Sequence, residues 1–233
     1  ALRSVKVNLL RTVLTGTIIA IGIMSLVGML TAIDGIKAQI EDSFSGLGAN
    51  NFDIRSKGFS GGRGVQQGVS EKNYPIVRYK EALSFQEAFN STGPSTVFST
   101  VSGAAEVKRG SKKTNPNVRV TGVDDLYFNM KALKIEKGRN FSNTEVRYGN
   151  NVCVIGLDIV ETLFEKNENP LNDYITVFGR RYTVVGILEK QGSVGGGSGA
   201  DRAIFIPVEN ASKLDANGTF RFSITASGSD PLK

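Results

Sequence analysis

The stretch VLTGTIIAIGIMSLVGMLTAI, residues 13–33, holds 21 residues without one charged side chain. As an α-helix it spans about 31 Å, the thickness of a bilayer's hydrocarbon core. Three readings compete: a cleaved leader, the buried helix of a soluble domain, and a membrane span. A leader has a shorter apolar region, roughly 7–15 residues, ending in a small-x-small site. The sequence TAIDGIKAQI that closes and follows the run offers no such site. A helix apolar on every side needs a much larger protein around it to be a soluble core element. The run is read as a membrane span.

Its flanks orient it. Arg3, Lys6 and Arg11 precede it with no acidic residue among them, and such a cluster belongs at the cytoplasmic face. Asp34, Lys37, Glu41 and Asp42 follow on the other side. The N-terminus is therefore expected in the cytoplasm, and the residues after about 34 outside the cytoplasmic membrane. Leu2, Val5, Leu9 and Val13 recur at helical spacing with Arg3 and Lys6 off that stripe. Residues 1–12 fit an amphipathic elbow helix along the inner membrane surface, and equally a plain basic flank. Gly16 with Ala20, and Gly28 with Ala32, place small residues four apart on helix faces. Such pairs let another helix approach closely, so the span is expected to pack on other spans.

Composition narrows the chemistry. The chain of 233 residues has no histidine and one cysteine, Cys153. That removes Ser-His-Asp and Cys-His catalysis, an intrachain disulfide and Cys/His zinc sites. The formal charge is +6. With the three basic residues before the span set aside, 25 basic face 22 acidic residues. This is a mildly basic solvated surface, not a nucleic-acid-binding stripe.

Beyond the span, residues 34–49 continue helically as a stalk and stop at Gly46, Gly48 and Asn50. NNFDIRS reads as a short strand, and KGFSGGRGVQQGVS as a flexible surface loop. SFQEAFNSTG predicts a short helix with Ser84 as N-cap, Glu87 completing a capping box, and Phe85, Ala88 and Phe89 on the buried face. Residues 95–123 predict a hairpin turning at GSKKTNPN. DDLYFNMKALKI predicts a brief helix capped by Asp124 or Asp125. NNVCVIGLDIVETLF reads as a buried strand entering a helix, and DYITVFGRRYTVVGIL as two strands around residues 179–181. AIFIPVENASKL is a strand then a helix, and TFRFSITAS a last strand. Short strands and short helices alternating in this way make an α+β domain.

Candidate sites fail on inspection. Gly195, Gly197 and Ala200 match G-x-G-x-x-A, but a dinucleotide loop must open a helix, and here the apolar strand AIFIPV follows. No G-x-x-x-x-G-K-[ST] occurs. Cys153, between Val152 and Val154, reads as a packing residue. Lys108, Arg109, Lys112 and Lys113 form a basic cluster, weighed as a solvated hairpin tip against a contact for lipid or an anionic partner. No catalytic, cofactor-binding or metal site is expected.

The order of features resembles the MacB/FtsX-type permeases of ABC transporters and their extracytoplasmic core domain. The head, ALRSVKVNLLRTVLTGTIIAIGIMSLVGMLTAIDGIKAQIEDSFSGLGANNFDIR, looks like that family's elbow helix, first span and first strand. RVTGVDDLYF, LKIEKGRNFS, NNVCVIGLDIVETLF and YTVVGILEKQGSVGGGSGADRAIFIPV follow in the family's order. The resemblance implies a four-span permease whose external domain lies between the first span and three C-terminal spans. It implies a homodimer or heterodimer, a cytoplasmic ATP-binding subunit or fused domain, and in some members a periplasmic adaptor. It also implies mechanotransmission: ATP-driven motion passed through span and stalk to a domain that moves substrates already outside the cytoplasm. The external domain is expected to be two-lobed, with residues 50–123 and 203–233 in a porter-like lobe and 124–202 in an inserted lobe. The competing class is a single-pass, membrane-anchored binding domain. An extracytoplasmic enzyme using Asp/Glu or Ser/Lys chemistry is disfavoured by the missing histidine.

Overall fold

The computed structural model describes residues 9–46, 51–56, 75–165, 168–190, 199–215 and 218–228. The chain divides into two compact units, Ala1–Gly46 and Leu47–Lys233. The first contains one helix, α1 (Leu9–Gly46), of 38 residues, about 57 Å long at the standard rise. Residues Arg11–Lys37 are long and apolar enough to cross a membrane. Leu14, Ile18, Met24 and Leu30 are all exposed along it. Thr15, Thr17 and Thr31 donate their hydroxyls back to the carbonyls of Arg11, Val13 and Val27 at 2.5, 2.8 and 2.9 Å. Folded back in this way, a hydroxyl carries no unpaired group into hydrocarbon. The expected elbow boundary at residue 12 is not a break, because α1 is already helical at Leu9 and runs through it. Residues 1–8, with Arg3 and Lys6, lie outside the described residues.

In the second unit eleven described strands join one mixed sheet. In chain order they are β1 (Asn51–Ile54), β2 (Ser95–Ala105), β3 (Val107–Arg109), β4 (Lys112–Lys113), β5 (Val118–Val123), β6 (Ile135–Gly138), β7 (Val152–Ile155), β8 (Tyr174–Val177), β9 (Arg180–Leu188), β10 (Ala203–Pro207) and β11 (Phe222–Ser227). Across the sheet the order is β1-β11-β2-β5-β10-β7-β9-β8-β3-β4, with β6 also on β9. The helices are α2 (Tyr79–Phe89), α3 (Tyr127–Met130), α4 (Asn143–Tyr148), α5 (Leu157–Leu163) and α6 (Val208–Leu214).

The central strands read as near-continuous apolar runs because both faces are covered. On one face Val118, Val120, Cys153, Ile155, Ile204 and Ile206 pack under Ile159 and Leu163 of α5 and Ala211 of α6. On the other, Phe98 and Phe205 meet Tyr127 and Phe128 of α3, ring to ring at 5.3–5.9 Å. Strand alternation separates the two sets, Val154 and Phe205 turning away from Cys153 and Ile204. A bulge in β9 opposite the Cys153–Val154 step carries the alternation across, so that Val184 and Ile187 both reach the first core.

Several expectations change in detail. Helix α2 begins at Tyr79, five residues before Ser84. The backbone N–H of Arg78 donates to the Glu81 carboxylate at 2.9 Å, and Ser84 sits inside the helix, donating to the Lys80 carbonyl at 2.9 Å. Ala82, Phe85 and Phe89 form the inward face, while Ala88 is exposed. Asp124 caps nothing: α3 starts after Leu126 without a side-chain cap. Strand β6 and helix α4 are additional to the expected elements. Helix α4 carries a capping box in which the Ser142 hydroxyl accepts from the N–H of Glu145 at 3.3 Å and the Glu145 carboxylate accepts from the N–H of Ser142 at 2.8 Å. The Gly-rich loops 57–70 and 191–198 lie outside the described residues.

Glu145 also takes a two-pronged grip from Arg139, at 2.7 and 2.8 Å. Arg139 and the Ser142 groups hold its carboxyl down to about 2 from 4.5. The folded pKa lies below the unfolded one, so this contact stabilises the fold fully above about pH 4.5 and is lost as pH falls towards 2. A thermal-unfolding series across that window should show Tm falling with acid, and Glu145→Gln should flatten the slope. An unchanged slope in the variant would refute the assignment.

Candidate functional site

The first and last strands of the second unit lie side by side. Strand β1 runs antiparallel to β11, with Asn51 opposite Ser227, Asp53 opposite Thr225 and Ile54 opposite Ile224. Only four residues separate the end of α1 from β1, so the chain enters the second unit at this edge.

A polar row crosses it. Asp53 on β1 accepts from Thr225 on β11 at 2.5 Å, from Lys131 after α3 at 3.0 Å and from Arg55. Thr225 stands opposite Thr96 on β2. Thr96 donates to Asp124 at the end of β5, which also accepts the N–H of Val97 at 2.9 Å and the Gln86 amide at 3.0 Å. The side chains of Asp53, Thr225 and Thr96 share one sheet face, linking β1 to α2, α3 and the fourth strand of the sheet. Burial pushes the Asp53 pKa up, but the hydrogen bonds from Thr225 and Lys131 outweigh it and hold the carboxyl below its usual value. For Asp124 burial prevails over its three donors and raises the pKa. Asn51 adds an amide hydrogen bond to the Met130 carbonyl at 3.2 Å, and Phe52 meets Phe89 of α2 edge to face at 6.1 Å. Strand β1 is thus fastened from both faces. Asp53→Ala should cost about 1–2 kcal/mol in urea unfolding through the orphaned Thr225 and Lys131. Lys131→Ala, which removes one donor and leaves Thr225 on the carboxylate, should cost less, about 0.5 kcal/mol; equal losses would deny Asp53 its central place.

Asp53, Thr96 and Thr225 carry no signal in the sequence, because a lone Asp in a four-residue strand and single threonines in longer ones form no pattern. The residues that the sequence does single out lie elsewhere. Arg11, Gly16, Ala20, Gly28 and Ala32 are exposed on α1, and nothing lies within 4 Å of where a Cβ would project from Gly16 or Gly28. Cys153 is fully buried, its thiol pKa raised by that burial. The basic hairpin cluster splits by strand alternation. Arg109 turns towards α5, stacking on Phe164 at 4.2 Å and gripping Glu168 at 2.7 and 2.9 Å and Asp173 at 2.7 and 3.0 Å. Lys112 pairs with Glu165 at 3.5 Å. Lys108 and Lys113 point the other way. Among the described residues, no three His, Cys, Asp or Glu side chains come together as a metal site requires. An open polar hollow of about 530 Å³ is lined by Thr114, Asn115, Asn117, Asp158, Thr162 and Arg202, with no nucleophile–base pair among these residues.

Comparison with known proteins places this architecture. The MacB-like periplasmic core domain matches residues 12–231. A protein of Campylobacter jejuni named macrolide export ATP-binding/permease protein MacB is 28% identical over 193 residues, covering 82% of this chain and 28% of that protein. The protein of the same name from Photorhabdus laumondii is 28% identical over 226 residues, 97% of this chain and 33% of that protein. The chain therefore spans about a third of the length of the curated relatives it matches. Among solved structures, the periplasmic region of MacB from Actinobacillus actinomycetemcomitans has a TM-score of 0.61 at 21% identity, over 84% of this chain and 82% of that one. The extracellular domain of the noncanonic ABC-type transporter YknZ, from Gram-positive bacteria, has a TM-score of 0.53 at 15% identity, over 65% of this chain and 73% of that one. These two likenesses concern the fold, an α+β domain with one mixed sheet. Spanning nearly the whole chain, the match to the family shows that this chain belongs to the MacB-like periplasmic core domain family.

Proposed function

We propose that this chain is the first transmembrane helix and external domain of an ABC transporter permease. It passes motion from a cytoplasmic ATPase to the periplasmic side, for efflux or release of substrates already outside the cytoplasm. The observation that carries this reading is α1 itself. One unbroken helix runs from an apolar segment of spanning length through residues 34–46 and ends four residues before a strand pinned on both faces. A helix of that kind carries displacement without absorbing it in a hinge. Hydrolysis of ATP belongs in this reading to another subunit or fused domain, and no catalysis is assigned to these residues.

The finer assignments follow from the same proposal. Arg3, Lys6 and Arg11 anchor the cytoplasmic end, with residues 1–12 as the elbow against the bilayer. Gly16, Ala20, Gly28 and Ala32 receive neighbouring spans of the same permease or of its partner in a homodimer or heterodimer. Residues 50–123 and 203–233 form the porter-like lobe and 124–202 the inserted lobe, with the β3–β8 and β10–β7 pairs joining the two. A periplasmic adaptor is a further candidate partner. Because the relatives are named for macrolide export, a macrolide is the first substrate to try.

The test uses the complete gene product in cells and in detergent. A P-loop ATPase should purify with it or be fused to it, one per permease chain. A flexible glycine-serine insertion between Gly46 and Asn51 should leave ATP hydrolysis measurable and abolish substrate export. A protein that purifies without ATPase, or exports normally with the insertion, would return the chain to the reading of a single-pass anchored binding domain.

A further inference from the structure

The outer face of the sheet's far end is cationic and aromatic, and its composition is set against the local rules of its own turn. Strand pairing puts Lys113 opposite Lys108, Lys108 opposite Thr176, and Thr176 opposite Arg181. Directly paired residues share a face, so Lys113, Lys108, Thr176 and Arg181 form one row across β4, β3, β8 and β9. At about 4.8 Å per strand the row extends over about 14 Å. The two lysine side chains are 64% and 58% exposed. Tyr174 on the same face is 49% exposed and lies under the Arg181 guanidinium at 4.8 Å. Glu106 is the acidic group on this face, 3.1 Å from Lys108 and 3.3 Å from Lys113. With Lys108, Lys113 and Arg181 against Glu106, the balance of this face stays positive.

The turn between β8 and β9 supplies an independent observation. Phe178 and Gly179 have φ of +52° and +74°, the left-handed pair of a type I′ hairpin turn, for which Asn-Gly is the favoured chemistry. A bulky side chain at positive φ is strained. Here the strained residue is a phenylalanine that is 45% exposed, so little packing within the chain repays the conformation. A local rule broken without internal compensation marks a place used for something outside the fold. Tyr, Phe and Arg exposed together are also the residue types that anchor protein interfaces.

We propose that the outer face of β4, β3, β8 and β9, with Phe178 at its tip, is a docking surface for an acidic, aromatic-containing segment of a partner protein. The cation row selects carboxylates, and Tyr174 and Phe178, two residues before and after Thr176 along the β8 segment, supply apolar anchors beside it. An extended polypeptide presents same-side residues about 6.7 Å apart, within reach of two flexible lysines and an arginine laid out along about 14 Å. The proposal is independent of the transport reading. It also divides the basic cluster: Arg109 and Lys112 are used inside the domain, and Lys108 and Lys113 outside it.

The probe is a soluble glutamate–tyrosine copolymer, with a lysine–tyrosine copolymer and phosphatidylglycerol vesicles as comparisons, offered to the full chain in detergent or nanodiscs. The acidic copolymer should bind, more weakly as salt rises, and the basic one should not. Lys108→Glu with Arg181→Glu should weaken binding at least tenfold with circular dichroism unchanged. Phe178→Asn creates the favoured Asn-Gly turn and should weaken binding several-fold while raising Tm. That opposite movement of affinity and stability is what a merely structural phenylalanine would not give. Absence of copolymer binding, binding indifferent to these substitutions, or binding of the anionic vesicles alone would each overturn the proposal.

Discussion

Gly156→Ala should lower Tm by roughly 6–12 °C, a methyl group's worth of change at a residue that carries no charge. Gly156 follows β7 at the N-cap of α5, and its N–H donates to the Ala203 carbonyl of β10 at 2.9 Å. A Cβ there would stand 2.2 Å from the Ala200 carbonyl oxygen and 2.3 Å from that of Asp201, far inside the roughly 3.5 Å of comfortable contact. Both obstacles are backbone, so no rotamer change relieves them. Moving the 200–201 segment away would break the bond from the Asp158 N–H to the Asp201 carbonyl, at 3.0 Å, and the Gly156–Ala203 bond with it. The Arg202–Asp158 pair at 3.2 Å sits on the same junction. The damage falls where β10 joins β5 to β7, in the middle of the sheet. Overpacking of this severity should cost about 3 kcal/mol or more. Gly103→Ala on β2, where a Cβ meets nothing within 4 Å, is the control and should stay within about 0.5 kcal/mol of the parent. Comparable urea midpoints for the two variants would disprove the close approach.

The contact that makes Gly156 indispensable illustrates what a sequence does and does not disclose. The strand VCVI and the helix after it are legible from an apolar run followed by helical spacing. The oxygen atoms that exclude a side chain at Gly156 come from a loop more than forty residues later, and no local pattern announces them. Asp124 fails for the same reason. A carboxylate just before a short helix looks like a cap, and only the arrival of Thr96, Val97 and Gln86 from two other elements makes it a buried acceptor. Ser84 and Glu87 imitate a capping box in mid-helix, while Ser142 and Glu145 are a real one in a helix of six residues, too short to show periodicity. The strand IEKG of β6, four residues long and bulged against β9, has no alternation to detect. The span is the opposite case: 21 uncharged residues need no partner to be recognised. The edge formed by β1 and β11 lies between these limits. Strand β1 is visible in NNFDIRS, but Asp53 and its partner Thr225 are 172 positions apart in the chain, and the polar row exists only once those strands pair.

Asp124 supplies the second large effect, and it separates a structural node from a charge requirement. Asp124→Ala removes the acceptor of three donors at a position 5% exposed. The Val97 N–H belongs to strand β2 and has little freedom to turn elsewhere, and an unsatisfied buried donor costs about 1–3 kcal/mol. With the Thr96 hydroxyl and the Gln86 amide also stranded, the variant should lose about 3 kcal/mol in urea unfolding. Asp124→Asn is expected to behave differently. One carboxamide oxygen can keep Val97 and Gln86, both of which approach the same carboxylate oxygen, while the new amide N–H can donate to the Thr96 hydroxyl, which rotates to accept. The substitution also relieves a buried charge whose pKa is already raised by burial, so the loss should be about 1 kcal/mol or less. A carboxylate with raised folded pKa favours the fold at low pH and loses that advantage as pH rises through its unfolded and then its folded pKa. Asp124→Asn should erase that dependence and leave the acid-side loss from the carboxylates held low, Glu145 among them. If the proposed transport reading holds and the node carries load from β1, the alanine variant of the complete gene product should keep its associated ATP hydrolysis with export reduced, whereas the asparagine variant should export normally. Equal export by the two, at a temperature where both are folded, would confine Asp124 to stability.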